Sequence, residues 1–317
     1  MTTAATSTVV DQTTDAAFRT WVAEVITQLL AVGLTQTADT GQINTTTVTR
    51  AAGNTAAGYT IWRFNDTLQA TAPIYIKLEF GSGSSNTVPA MWITVGQGSN
   101  GSGTLTGTLT TRCSCGSGTA LSSTITSYTS RFVYNSTYGF LAVVMKIGSI
   151  GANVAWGGFI VVRSCDSTGA ATGDSVGIIT NSFSASPVGF SGTQAPSSQF
   201  YSWVTSAVYP PTLNNNTANT CCFFPFMPTS TTVSGNQQVM PAFHATPAIQ
   251  FSNTWGLCNM NEIAVGSTFT AQVVGSTTLT YISVGGFHGV NTFLFNGAGS
   301  AQGPAGSPPI GAYILWQ

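Results

Sequence analysis

Ile74-Tyr75-Ile76-Lys77-Leu78-Glu79-Phe80 alternates apolar and polar residues at a period of two. Ile74, Ile76, Leu78 and Phe80 fall on one face and Tyr75, Lys77 and Glu79 on the other, the pattern of a strand with one side against a core. The same grammar recurs outward from this stretch. Tyr59-Thr-Ile-Trp-Arg-Phe64 and Met91-Trp-Ile-Thr-Val95 flank it, and Phe140 to Ile147, Phe159 to Arg163, Phe269 to Val274, Leu279 to Val284 and Ala312 to Trp316 continue it. Gly, Ser and Asn punctuate these runs, and no helices alternate with them. A parallel α/β sheet is therefore disfavoured, and the expected fold is mainly β: an antiparallel β-sandwich of jelly-roll type.

One segment has a helical period. Phe18, Trp21, Val22, Val25, Ile26, Leu29 and Leu30 recur at steps of three and four within residues 14–32. Thr13 or Thr14 is placed to cap this amphipathic helix, Asp15 sits in its first turn, and Gly33 stands where a left-handed C-cap belongs. Its apolar face either packs on its own domain or docks on another copy. Two stretches break the β pattern: 96–118, a long loop or flat polar hairpin, and 182–241, a longer loop. The chain divides softly into an N-terminal helix and assembly segment, 1–45, and a β-rich body, 46–317, with no repeat of fixed period.

The chain has 317 residues, 43% of them hydrophobic, enough to bury a sizeable core. Only 5% are charged, against about a quarter in an ordinary globular protein. Eight Lys and Arg oppose nine Asp and Glu, giving a net charge of −1 and no basic stripe for nucleic acid. After Asp174 the only formally charged side chain is Glu262. A net charge this close to zero favours association. The opening Met-Thr-Thr-Ala-Ala-Thr-Ser-Thr lacks the regions of a secretory signal, and no apolar run approaches the about 20 residues that span a bilayer. Synthesis in a cytoplasm without membrane insertion is expected, followed by assembly into a particle.

Few motifs carry chemistry. Gly96-Gln-Gly98-Ser-Asn-Gly101 matches the dinucleotide fingerprint, but the mechanism needs a following helix and an acid about 20 residues on. Neither is present. Gly173-Asp-Ser175-Val-Gly177 matches the nucleophile elbow, and His244 and His288 are available, yet its flanks offer neither the strand nor the helix that the strained turn requires. It reads as a surface hairpin turn. A glycosidase needs two carboxylates across a sugar. Of the candidates, Glu79 shares a face with Lys77 and Asp66 lies three residues from Arg63, so ordinary ion pairing accounts for both. Asp166, Asp174 and Glu262 complete the set. No catalytic residue, cofactor or metal site is expected.

Cys113, Cys115, Cys165, Cys221, Cys222 and Cys258 lack the spacing of structural zinc. Buried free thiols suit a reducing cytoplasm, and disulfides formed later between Cys113 or Cys115 and Cys221 or Cys222 stay open. Phe223, Phe224, Phe226 and Met227 form either a contact patch or a plug of the sandwich.

Trp21-Val-Ala-Glu-Val-Ile-Thr-Gln-Leu-Leu30, Val32-Gly-Leu-Thr-Gln-Thr-Ala-Asp-Thr-Gly-Gln42, Gly58-Tyr-Thr-Ile-Trp-Arg-Phe-Asn-Asp66 and Ile76-Lys-Leu-Glu-Phe-Gly81 together resemble virion structural proteins of tailed bacteriophages, most of all tail-fibre or tail-associated proteins. The likeness covers roughly the first 110 residues. It implies a homo-oligomer, often a trimer, attached to other tail proteins of the virion, with a role in host attachment and no catalytic residues to carry over. It does not separate a fibre from a collar, baseplate or capsid-decorating subunit. On this expectation Phe18, Trp21, Val25, Leu29, Trp62 and Phe64 form the oligomer or docking interface. Tyr201, Trp203, Tyr209 and Trp255 are the candidate contacts to a host glycan or outer-membrane receptor. A glycan depolymerase using Asp166 or Glu262 is a further alternative.

Overall fold

The computed structural model describes residues 2–6, 13–83, 86–87, 89–110, 112–115, 130–150, 153–181, 197–203, 207–209, 222–223, 237–239, 243–245, 248–250, 255–259, 268–273, 278–287 and 310–316. The first elements are β1 (Thr2–Thr6), α1 (Asp15–Ala31), β2 (Thr35–Gln36), β3 (Ala56–Arg63), β4 (Tyr75–Ser82), β5 (Pro89–Ser99), β6 (Leu105–Thr108) and β7 (Cys113–Ser114). Next come β8 (Ser130–Asn135), β9 (Phe140–Ile150), β10 (Asn153–Cys165), β11 (Ala171–Asn181), β12 (Ser197–Ser202) and β13 (Ala207–Tyr209). Short strands follow: β14 (Cys222–Phe223), β15 (Gln237–Val239), β16 (Phe243–Ala245), β17 (Ala248–Gln250), β18 (Trp255–Asn259), β19 (Thr268–Val273), β20 (Thr278–Phe287) and β21 (Ile310–Leu315).

Two antiparallel sheets form the sandwich, as the period-two pattern predicts. One runs β2-β3-β4-β5-β6, with β7 also on β5; the other runs β1-β8-β9-β10-β11-β12-β13. Strands consecutive in sequence are mostly neighbours in both; β7 skips β6 to pair with β5, and β1 beside β8 is the long-range pairing. A mixed sheet, β15-β19-β20-β21-β18, and a small one, β14-β16-β17, lie further along the chain.

The core between the two large sheets is continuous. Ile76, Leu78, Phe80, Met91, Ile93 and Val95 from the six-stranded sheet join Phe132, Leu141, Val143, Phe159, Val161 and Ile178 from the seven-stranded one. Burial in β4 alternates as the sequence requires, with Tyr75, Lys77 and Glu79 half-buried on the outer side. The seven-stranded sheet is buried on its other face as well, where Val133, Phe140, Ala142 and Val162 are fully covered. That double burial explains why Phe140-Leu-Ala-Val-Val-Met145 is an unbroken apolar run. Trp316, just past β21, lies under the Arg131 guanidinium at 5.2 Å, placing that chain end against β8.

The helix belongs to this core. Thr14 caps it, its hydroxyl accepting from the Ala17 amide at 3.0 Å, and Gly33 leaves it at φ +101°, as the sequence indicates. Phe18, Trp21, Val22, Val25 and Leu29 are all buried, and Trp21 meets Phe80 edge-on at 5.7 Å. The helix thus packs on its own protomer. Residues 1–45 and the strands after them share one core.

Three expectations change. The 182–241 stretch contains the strands β12, β13, β14 and β15, so it is not a plain loop. Gly173-Asp-Ser175-Val-Gly177 lies within β11, with Ser175 buried and its amide donating to the Ser164 hydroxyl at 3.0 Å. The turn lies earlier, at Asp166 to Ala170, where the Asp166 carboxylate accepts from the Thr168 and Ala170 amides. The 96–118 stretch resolves in its first part into a polar hairpin of β5 and β6, turning on Gly101 and Gly103 at φ +81° and +89°. No helix follows Gly101 there, because the chain turns straight back into β6.

Candidate functional site

The outer face of the six-stranded sheet brings cations and aromatic rings together on one surface. Antiparallel register sets Tyr59, Glu79, Trp92 and Ser114 directly opposite one another across β3, β4, β5 and β7. Residues so paired share a face. The next row is Ile61, Lys77 and Thr94, and the one after is Arg63, Tyr75 and Gly96. Three of the eight Lys and Arg stand on or beside this face: Arg63, Lys77 and Arg112.

The polar groups there are organised by the rings. The Lys77 ammonium lies 4.6 Å above the Tyr59 ring and the Arg112 guanidinium 4.1 Å above the Trp92 ring. Such contacts contribute about 0.5–1 kcal/mol each at exposed sites. Arg112 Nε also donates to Glu79 Oε2 at 2.7 Å, so Glu79 pairs with Arg112 rather than with Lys77.

Tyr59 is fixed from below. Its hydroxyl donates to the Thr40 carbonyl at 2.6 Å, and burial, followed by the nearby Asp39 charge, raises its pKa. Asp39 is a hub that ties the 37–42 segment to the β5–β6 hairpin. It accepts from the Thr37 and Ser99 hydroxyls and from the Gly103 amide. Burial pushes the Asp39 carboxyl up, but the hydrogen bonds from Ser99, Thr37 and the Gly103 and Gly101 amides outweigh it and hold it below the usual range.

A second charged cluster is internal. Arg163 donates to Asp66 through Nε at 2.6 Å and Nη2 at 3.0 Å, and through Nη1 to the Ala72 carbonyl at 2.7 Å. The side chains are 0% and 1% exposed. Phe64 and Trp203 each place a ring centroid 5.9 Å from the guanidinium. Arg163 lies on the inner face of β10, so the pair bridges the two sheets. Asp66 therefore pairs across the sandwich and not with Arg63.

The six residues expected at an oligomer interface are in this interior. Phe18, Trp21, Val25, Leu29, Trp62 and Phe64 are each at most 2% exposed. They hold the protomer together, because a ring already enclosed by its own chain has no surface to offer a second copy. Sequence periodicity reports that a face is apolar and does not say which chain covers it.

Of the receptor candidates, Trp203 is half-buried against the core beside Arg163, its amide donating to the Asp174 carbonyl at 2.8 Å. Tyr201, Tyr209 and Trp255 lie on β12, β13 and β18, and their side chains are outside the described residues. So are Glu262, His288, Phe224, Phe226 and Met227, together with the side chains of Phe223 and His244. Asp166 is spent on its own turn, where the Thr168 hydroxyl and amide hold its carboxyl below the usual range.

Cys113, Cys115 and Cys165 are buried, and Cys115 and Cys165 are free thiols. Burial pushes the Cys165 thiol up to about 11 and that of Cys115 well above the ordinary value. The described residues hold no group of His, Cys, Asp and Glu able to bind a metal. Comparison with protein-family models, with curated proteins and with solved structures finds no match to this chain.

Proposed function

We propose that this chain is a structural protein of a tailed-bacteriophage virion, a tail fibre that assembles as a homo-oligomer, expected to be a trimer, and contributes to host-surface attachment. The observation that carries the reading is the contrast between the two charged clusters. One is sealed inside as a rivet, while the other is spread over a rigid outer sheet face in half-exposed aromatic company. A binding or assembly protein needs such a face held on strands. The low charge and the resemblance of the first 110 residues support a particle component.

An antibody against the chain, applied to purified particles and combined with copy-number measurement, tests the proposal. Label on the tail in multiples of the tail symmetry is expected, with adsorption lost in particles lacking the chain. Hundreds of copies on the head would establish a decorating subunit instead, and absence from particles would refute both.

A further inference from the structure

We propose that the outer face of the six-stranded sheet is a binding surface for an anionic polysaccharide, one carrying carboxylates along a chain of hydroxylated rings. This goes beyond the reading above by naming a surface and a ligand class, and it holds wherever the particle carries the chain.

Charge complementarity comes first. The chain is net negative, at −1, yet this face presents Arg63, Lys77 and Arg112 against Glu79 and, at its Tyr59 end, Asp39, whose carboxylate is taken up by the Thr37 and Ser99 hydroxyls and the Gly103 amide. Glu79 is taken by Arg112. Lys77 has no carboxylate partner among the described residues, and its ammonium rests on the Tyr59 ring. A chain with so few charges that concentrates cations on one face has a surplus there for a ligand anion to neutralise.

Preorganisation comes second. The two cation–ring contacts and the Tyr59 hydrogen bond to Thr40 fix side chains that would otherwise lose rotamer freedom on binding. Four strands carry the row from Tyr59 to Ser114, three interstrand spacings of about 4.8 Å each, so it offers an extended track rather than a point contact.

The third argument separates glycan from nucleic acid. A duplex carries one negative charge per about 1.7 Å of its axis. Laid along this row, it would set phosphates on the Glu79 carboxylate. A polysaccharide spaces its anions by whole rings and brings hydroxyls between them, which Glu79 and Thr94 can accept from. The rings of half-exposed Tyr59 and Trp92 hold the Lys77 and Arg112 cations in place along the track, where the carboxylates of such a chain can reach them.

The test uses the purified full chain and three probes: polygalacturonate, neutral dextran and a 20-base-pair duplex DNA. Binding to polygalacturonate at low salt is expected, weakening as salt rises, with no binding to dextran. Lys77→Gln and Arg112→Gln should each weaken it several-fold and Trp92→Leu about tenfold, the equivalent of about 1.4 kcal/mol, while Leu30→Ser on the exposed side of α1 leaves it unchanged. Thermal unfolding confirms that each variant is folded, and if Trp92→Leu is not, the two charge variants decide. Absence of binding to polygalacturonate, equal binding by the charge variants, or tighter binding to the duplex would each overturn the proposal. Particle labelling does not report on this surface, and the probe experiment does not report on particle location, so either reading fails separately.

Discussion

Asp66→Ala is the most demanding test of how this sandwich is closed. In the native protein the Arg163 guanidinium is fully buried and spends two hydrogen bonds on Asp66 and one on the Ala72 carbonyl. Removing the carboxylate leaves a cation enclosed by Phe64, Trp203 and a single carbonyl. Breaking a buried pair from one side costs about 3–5 kcal/mol, because the remaining charge keeps its desolvation penalty. Unfolding entropy of about 2.1 cal/mol/K per residue, over 317 residues, gives about 0.67 kcal/mol/K for a chain that melts as one unit. The substitution should therefore lower Tm by about 4–8 °C.

The double variant Asp66→Ala/Arg163→Met discriminates charge from packing. It removes the orphaned cation while keeping an aliphatic stem beside Gly139, whose α-carbon side already sits against the Arg163 methylenes. Replacing a buried pair by apolar groups is often neutral, so most of the lost Tm should return. Differential scanning calorimetry measures both variants. If Asp66→Ala shifts Tm by less than about 1.5 °C, the cost is that of a surface pair of about 1 kcal/mol or less, and the sealed bridge described above is wrong. A double variant as unstable as the sum of the two singles would refute the charge argument specifically.

Trp21→Ala should destabilise by about 3–5 kcal/mol and lower soluble expression rather than release intact protomers, as light scattering against chemical denaturation will show. Gly158→Ala should prevent folding, since φ is +145° and the new Cβ would stand 1.9 Å from the Val143 carbonyl oxygen; Gly101→Ala, at φ +81° in open space, should cost only about 1 kcal/mol in equilibrium unfolding. Asp39 has a folded pKa below its unfolded value, so its stabilisation is present above about pH 4 and is lost as pH falls through the folded value. Asp39→Asn should consequently flatten the decline in Tm on acidification, with the 100–104 turn exchanging its amides faster. Cys113, Cys115 and Cys165 should resist alkylation in the native protein at pH 8 and react on unfolding, read by peptide mass spectrometry.

What the sequence made legible was local. The capped helix and the alternating faces of β4 follow from spacing alone, since each depends on residues within one or two turns or pleats. β11 is hidden in the sequence because Gly173-Asp-Ser175 carries turn residues, and only the cover over the second face of its sheet explains why Ser175 is buried in a strand. The charge partners lie beyond sequence spacing for a related reason. Arg63 and Lys77 are close to Asp66 and Glu79 in sequence, but the partners chosen by the fold lie 97 and 33 residues away. No spacing rule reaches that far. The aromatic face was invisible until register set Tyr59 opposite Glu79 and Trp92.

Scarcity of charge gives each charged residue positional meaning. Arg50 closes the start of α1, its backbone amide and Nε both donating to Asp15 and its Nη1 to the Thr13 carbonyl. Arg163 closes the sandwich from within. In both cases a cation joins segments distant in sequence and finds its carboxylate. Lys77 does neither: it stands mid-strand, bonds no distant loop among the described residues and leans on a ring that its own sheet supplies. Glutamine or threonine would serve the strand as well as lysine and would spare the desolvation of an ammonium over Tyr59. A charge whose contact with its own sheet is worth so little points outward, which is why replacing Lys77 should lower Tm by no more than about 1.5 °C while the loss of Asp66 lowers it further, and why the two variants together separate the residues that build this protein from those that face its ligand.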